Sequence, residues 1–184
     1  STVGVYVDET TFGSSSGLVN GAILSGDFDT FDLERIEVLR GPQGTLYGAS
    51  SLGGVLKFVT KRPNTEAFEA RARGSVETVK GGDLSYMGSA VVNVPLGDTL
   101  AVRATGFYRD FGGFIDSIGT GGSDVEENIN DYRSYGGRVS ALFEPSDQFS
   151  IQVGAYFQNL ESDASSSVES NPTTARTLYG RLTQ

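Results

Sequence analysis

The stretch DLERIEVLRGPQGTLYGASSLGGVLKFVTKRP, residues 32–63, decides the fold. It reads as strand, glycine-rich turn and strand. Leu33, Ile36, Val38 and Leu39 give the first half apolar weight among Glu34, Arg35, Glu37 and Arg40. Gly41-Pro42 then stops the strand, because proline has no N–H for a ladder and glycine accepts dihedrals closed to other residues. Gly44, Gly48, Gly53 and Gly54 keep the turn dense in backbone, with Leu46, Tyr47 and Leu52 expected as its anchors. GVLKFVT, residues 54–60, is β-branched and aromatic, a second strand closed by Lys61-Arg62-Pro63.

Within this stretch, ERIEVLRGPQGTLYG followed by GGVLKFVTKRP resembles the plug-domain signature of TonB-dependent outer-membrane receptors. The signature turn is carried by Gly41, Pro42, Gly44, Tyr47, Gly48, Gly53 and Gly54. The likeness departs at Leu56-Lys57, where many members carry Ile-Asn, which leaves subfamily and ligand open. The resemblance implies a globular plug inside a large barrel of the Gram-negative outer membrane. It implies energised uptake of a scarce small-molecule ligand, siderophore-bound iron or similar. A TonB-type energy-coupling protein would pull on an N-terminal box preceding Ser1 to displace the plug. Binding and gating need no cofactor and no covalent step, so no enzyme is expected.

Composition agrees with that class. The 184 residues suffice for a real core. The start at Ser-Thr-Val shows no signal peptide, and the alternating end at Thr183-Gln184 shows no stop, so an internal piece of a longer protein is expected. No apolar run is long enough for a membrane helix. Cysteine and histidine are absent, which excludes disulfides and thiolate metal sites. A net charge of -9 lacks the basic footprint of a nucleic-acid binder. Gly 25, Tyr 8 and Phe 11 suit tight turns and aromatic girdles.

In chain order, Val3 to Asp8 alternates as a strand, with Val3, Val5 and Val7 against Gly4, Tyr6 and Asp8. Glu9 to Asp32 is a long polar connection, and a connection of that length is functional or disordered. If it lies at the apex, Thr11, Phe12, Ser14, Ser15 and Ser16 face ligand. One helical turn is expected over residues 29–33. A boundary falls at about Asn64 to Ala67, giving residues 1–63 as the C-terminal part of the plug and 64–184 as the first five to six barrel strands.

Beyond that boundary apolar and polar residues alternate with period two, in segments of the roughly 9–11 residues that a tilted membrane strand needs. Phe68, Ala70, Ala72, Gly74 and Val76 oppose Glu69, Arg71, Arg73, Ser75 and Glu77. Tyr86, Gly88, Ala90, Val92 and Val94 oppose Met87, Ser89, Val91 and Asn93. The rule repeats from Leu100 to Arg109, from Tyr135 to Glu144 and from Phe149 to Gln158, and a sixth segment starts at Arg176. No charge falls on the apolar face of these runs. Alternation alone leaves a soluble sandwich and a membrane barrel open. Connection length favours the barrel, since tight turns at Pro95-Leu96-Gly97-Asp98 and Pro145-Ser146-Asp147 alternate with long loops at 111–131 and 161–175. The expected fold is therefore mostly β: a small mixed plug sheet with short helical turns, then antiparallel strands of a transmembrane β-barrel.

Other constellations are bland. Gly13-Ser14-Ser15-Ser16-Gly17 matches G-x-S-x-G, but no histidine exists to activate Ser15. Asp124, Glu126, Asn128 and Asn130 echo a calcium loop, yet Ile129 and Tyr135 stand where such a loop needs glycine and glutamate. GPQGTLYG lacks the ending and the spacing of phosphate-binding loops.

Arg35, Glu37 and Arg40 are the informative charges. They are surface charge on a small sheet, or they lock the plug. By the resemblance, plug arginines pair with barrel glutamates, the carry-over being firmest for Arg40, with the glutamates on strands beyond Gln184. Arg71, Arg73, Arg103, Arg109 and Arg138 line the lumen against plug carboxylates or are simply solvated there. Two rivals stay open: a barrel for passive diffusion or surface attachment, and a soluble β-rich binding module.

Overall fold

The computed structural model describes residues 3–11, 29–47, 51, 53–117, 126–162 and 180–182. The chain divides into two compact units, Ser1–Pro63 and Asn64–Gln184.

The first unit is a four-stranded mixed sheet of β1 (Val3–Val7), β2 (Thr10–Thr11), β3 (Leu33–Arg40) and β4 (Gly54–Thr60), in the order β2-β1-β4-β3. β4 is central, parallel to β1 and antiparallel to β3. Its run of Val55, Leu56, Phe58 and Val59 suits a strand flanked on both sides. Asp8, at φ 52°, turns the chain out of β1. Its carboxylate accepts from Thr60 N and Thr60 Oγ1, each at 2.8 Å, so β1 is tied to the end of β4. The expected helical turn is a 3-10 turn, Thr30–Asp32, opened by Asp29 Oδ1 accepting from Phe31 N at 3.2 Å.

The buried face of β1 is Gly4 and Tyr6 rather than the valines. On edge strand β3, Ile36 and Val38 stand exposed. Between β3 and β4, inside the glycine-rich turn, the chain makes one further helical turn, Gly44–Tyr47. Leu46 does not anchor it: the side chain is 83% exposed, because the turn is held from its other side by Tyr47.

The second unit is an antiparallel sheet of β5 (Glu69–Thr78), β6 (Leu84–Pro95), β7 (Leu100–Phe111), β9 (Tyr132–Ser146) and β10 (Phe149–Ser162), in the order β10-β9-β7-β6-β5. Between β7 and β9 a short strand, β8 (Ile115–Ser117), pairs with β11 (Gly180–Leu182) as a separate two-stranded sheet. Of the sixth segment, the described residues Gly180–Leu182 are those that pair with β8.

Register aligns the sheet's two faces. Along one face Ala70, Val92, Ala104, Val139 and Ala155 are successive cross-strand partners, as are Ala72, Ala90 and Gly106 in the next row. On the other, Glu69, Asn93, Arg103, Ser140 and Gly154 form one row. The apolar face is the exposed one: Val139 is 52% and Val153 64% accessible. Asn93 and Arg103, on the polar face, are 0% and 1% accessible. A sheet folded for water buries its apolar side; this one is inverted, as a membrane wall requires. From Leu100 to Tyr108 the apolar face runs about 27 Å along the strand at about 3.4 Å per residue. A tilt of about 40° shortens that to about 21 Å, close to the roughly 25 Å apolar band of such walls. At one end of the band Asp110 and Arg133, partners in register, carry an ion pair at 3.3 Å beside Tyr108 and Tyr135.

Candidate functional site

The signature turn is a packing node. Gly41 sits at φ 82° and Gly54 at φ 140°, both left-handed conformations that glycine alone adopts cheaply. A Cβ at Gly54 would lie 2.4 Å from the Leu39 carbonyl oxygen, so β3 and β4 close only without one. The Tyr47 carbonyl accepts from Tyr6 Oη at 2.7 Å and from Ser51 Oγ at 3.1 Å, while the two tyrosine rings meet edge to face. Ser51 is fully buried, and its carbonyl accepts from Gln43 N at 2.9 Å. A Cβ on Gly4 would meet Ser51 Oγ at 2.8 Å. The glycines thus let the turn press against β1. Gly44 has open space around it, and Pro42 and Gly53 are exposed. Gly48 lies outside the described residues.

Arg35 donates from Nε to Glu37 at 2.7 Å and from Nη1 to Glu34 at 2.6 Å, all on the surface of the unit. The hydrogen bond to Glu37, ahead of the fields of both carboxylates, holds the Arg35 guanidinium above its ordinary pKa. Arg40 is exposed at the end of β3, opposite Gly54, and its guanidinium has no ion-pair partner among the described residues. The structure thus brings Arg35 and Glu37 together and leaves Arg40 presented to solvent. Of the expected ligand-facing loop, Thr11 is exposed on β2 opposite Tyr6; Phe12, Ser14, Ser15 and Ser16 lie outside the described residues.

On the polar face of the wall, Arg103 donates from Nη1 to Glu69 at 2.9 Å, and Arg71 pairs with Glu69 at 2.7 Å. Arg109 lies over the Phe107 ring, 5.0 Å from its centroid, and Arg138 donates to Ser140 Oγ at 3.3 Å. Arg71 and Arg73, on edge strand β5, are exposed. Sequence reasoning placed Glu69 and Asn93 on this face but gave them no role. The signal was there: Asn93 is a lone amide among Val91, Val92 and Val94.

Comparison with known proteins matches this geometry. Residues 1–55 fit the family described as TonB-dependent Receptor Plug Domain. The ferrichrome outer membrane transporter/phage receptor of Escherichia coli K12 is 29% identical over 154 residues, 79% of this chain and 18% of the relative. The pesticin receptor of Yersinia enterocolitica is 33% identical over 119 residues, 64% of this chain and 16% of the relative. Among solved structures, the ferric yersiniabactin uptake receptor of Yersinia pestis superposes with a TM-score of 0.59 at 25% identity, covering 88% of this chain and 23% of that one. The ferric enterobactin receptor of Pseudomonas aeruginosa superposes with a TM-score of 0.65 at 20% identity, covering 88% and 26%.

Plug turn and inverted wall together define the class, a plug domain followed by outer-membrane barrel strands. Residues 1–55 match the TonB-dependent receptor plug domain, and the chain is similar to TonB-dependent outer-membrane receptors, as part of a plug domain followed by barrel strands. It spans about a fifth of the length of the curated relatives it matches.

Proposed function

We propose that the chain is the plug-to-wall section of a receptor that takes up a scarce iron chelate across the outer membrane by energised displacement of the plug. The observation that carries this reading is the pairing of the plug signature turn with a sheet whose exposed face is apolar and whose buried face holds Asn93 and Arg103. The relatives' names add support, since they are receptors for ferrichrome, ferric yersiniabactin and ferric enterobactin. The working partners are a TonB-type coupling protein, outer-membrane lipid and a ferric siderophore. The protein does no covalent chemistry; it binds, holds and releases.

Arg40, exposed and without an ion-pair partner among the described residues, is the residue best placed to hold the plug through a carboxylate elsewhere in the receptor. The test is uptake of iron-55 as ferrichrome, ferric yersiniabactin and ferric enterobactin by iron-starved cells carrying the full receptor. Uptake that disappears when the coupling protein is deleted is expected. Uptake indifferent to coupling would mean a passive pore, and absence of uptake for all three would overturn the iron reading.

A further inference from the structure

The first residues of the second unit, 64–67, are fastened to the wall by the side chain of Asn93. Asn93, on β6, is 0% accessible. Its Oδ1 accepts from Asn64 N at 2.9 Å, and its Nδ2 donates to Asn64 O and to Ala67 O, each at 2.8 Å. The acceptor and both amide hydrogens are therefore spent on residues 64–67. Asn64 Oδ1 in turn accepts from Glu66 N at 2.7 Å, which folds the segment into the tight shape that Asn93 grips. Flanking Asn93 in register, Glu69 and Arg103 close an ion pair across it. On the preceding side, Lys61 N donates to Asp32 O at 3.1 Å, so that stretch is tied into the first unit. Only Arg62-Pro63 separates the two fastened stretches.

We propose that Asn93 is a positioning residue: it pins residues 64–67, the start of the second unit, to the first hairpin of the wall, so that a pulling load passed along the chain from the plug is resisted there. The pull rests on the uptake reading above; the pin itself does not. A buried amide with its hydrogen-bonding capacity used is a stiff fastening, because its removal strands three backbone groups. Other polar residues of the same face serve as controls. Ser89, buried two rows away on β6, makes none of these bonds to residues 64–67.

Hydrogen exchange on the full receptor in detergent micelles tests the pin without any ligand. Asn93→Ala is expected to raise exchange at the Asn64 amide about tenfold, the scale of one lost buried hydrogen bond, and Ser89→Ala to leave it unchanged. If Asn93→Ala does not assemble, Asn93→Ser replaces it, since a hydroxyl cannot reach Asn64 and Ala67 together. Wild-type exchange rates in the assembled variant would overturn the pin. For the load-bearing role, cells carrying the variant are exposed to a large glycopeptide antibiotic that an intact outer membrane excludes. Loss of resistance only where the coupling protein is present is expected. Unchanged resistance, or equal loss without coupling, would overturn that role. A wild-type receptor that takes up no ferric chelate in the parallel iron-55 assay would sink the uptake reading, while exchange at Asn64 still decides the pin.

Discussion

Arg103 on β7 reaches across Asn93 on β6 to donate to Glu69 on β5, closing a 2.9 Å ion pair that spans three strands. The guanidinium is fully buried while the carboxylate keeps about a third of its surface (36%). Desolvation falls mostly on one partner, so the pair is asymmetric: losing the carboxylate takes a partner from a buried charge, whereas losing both costs far less. Glu69→Gln is expected to destabilise the folded wall by about 3 kcal/mol. Arg103→Met added to it should recover part of that loss. Urea unfolding of the single and double variants in micelles measures both; a double variant no better than Glu69→Gln would refute the asymmetry.

Arg40 makes no ion pair among the described residues. Arg40→Ala is therefore expected to leave the plug sheet's own unfolding unchanged while loosening the plug in the full receptor. Antibiotic leakage and iron uptake report the second effect. If both stay at wild-type level, Arg40 is surface charge and nothing more.

Two glycines of the plug turn separate conformation from crowding. Gly41→Ala meets only the left-handed penalty, about 1–2 kcal/mol, because nothing lies within 4 Å of the added methyl. Gly54→Ala adds a collision with the Leu39 carbonyl and should cost clearly more. Limited proteolysis of the plug in the assembled receptor ranks them.

Val139 lies mid-row on the exposed apolar face, next to Ala104 and Ala155 in register. Val139→Lys should reduce insertion into lipid vesicles by about 2–4 kcal/mol if that face meets hydrocarbon. Thr105→Lys, one residue away on the other face, should be tolerated. Heat-modifiable gel migration distinguishes folded from unfolded barrel, and equal behaviour of the two variants would reject the lipid-facing assignment.

Lys57 donates to Glu9 at 2.6 Å, and that hydrogen bond, with Glu9's field behind it, lifts the Lys57 pKa above its ordinary value. A raised lysine stabilises the folded state below its unfolded pKa of about 10.4 and loses that contribution as pH climbs through the folded value. The unfolding midpoint of the plug should therefore drop above about pH 10.4, and drop less in Glu9→Gln. Identical profiles for the two proteins would count against the pair.

Much of this was legible because alternation is a local property. The period of two, the Gly-Pro stop after Arg40 and the β-branched run at 54–60 each act within a few residues, so strands and faces followed from the chain itself. Leu46 was misjudged for the opposite reason. Its apolar side chain sits in a turn held by Tyr6, forty-one residues from Tyr47 in sequence, and no local pattern records that partner. The pairing of β8 with β11 and the grip of Asn93 on residues 64–67 are likewise contacts between distant segments. Asn93 carried a faint sign in being an amide between valines. The calcium-like spacing at 124–130 drew attention to a loop, whereas its described part does simpler work: Asn130 Oδ1 accepts from the amides of Phe114 and Ile115.

The shared register of β5, β6, β7, β9 and β10 constrains how this sequence can change over time. Gaining or losing a single amino acid inside one of these strands would swap oil-facing and water-facing sides for everything beyond it. Drift in length is therefore channelled into the outer connections, which is where such a protein can acquire new specificities without rebuilding its frame.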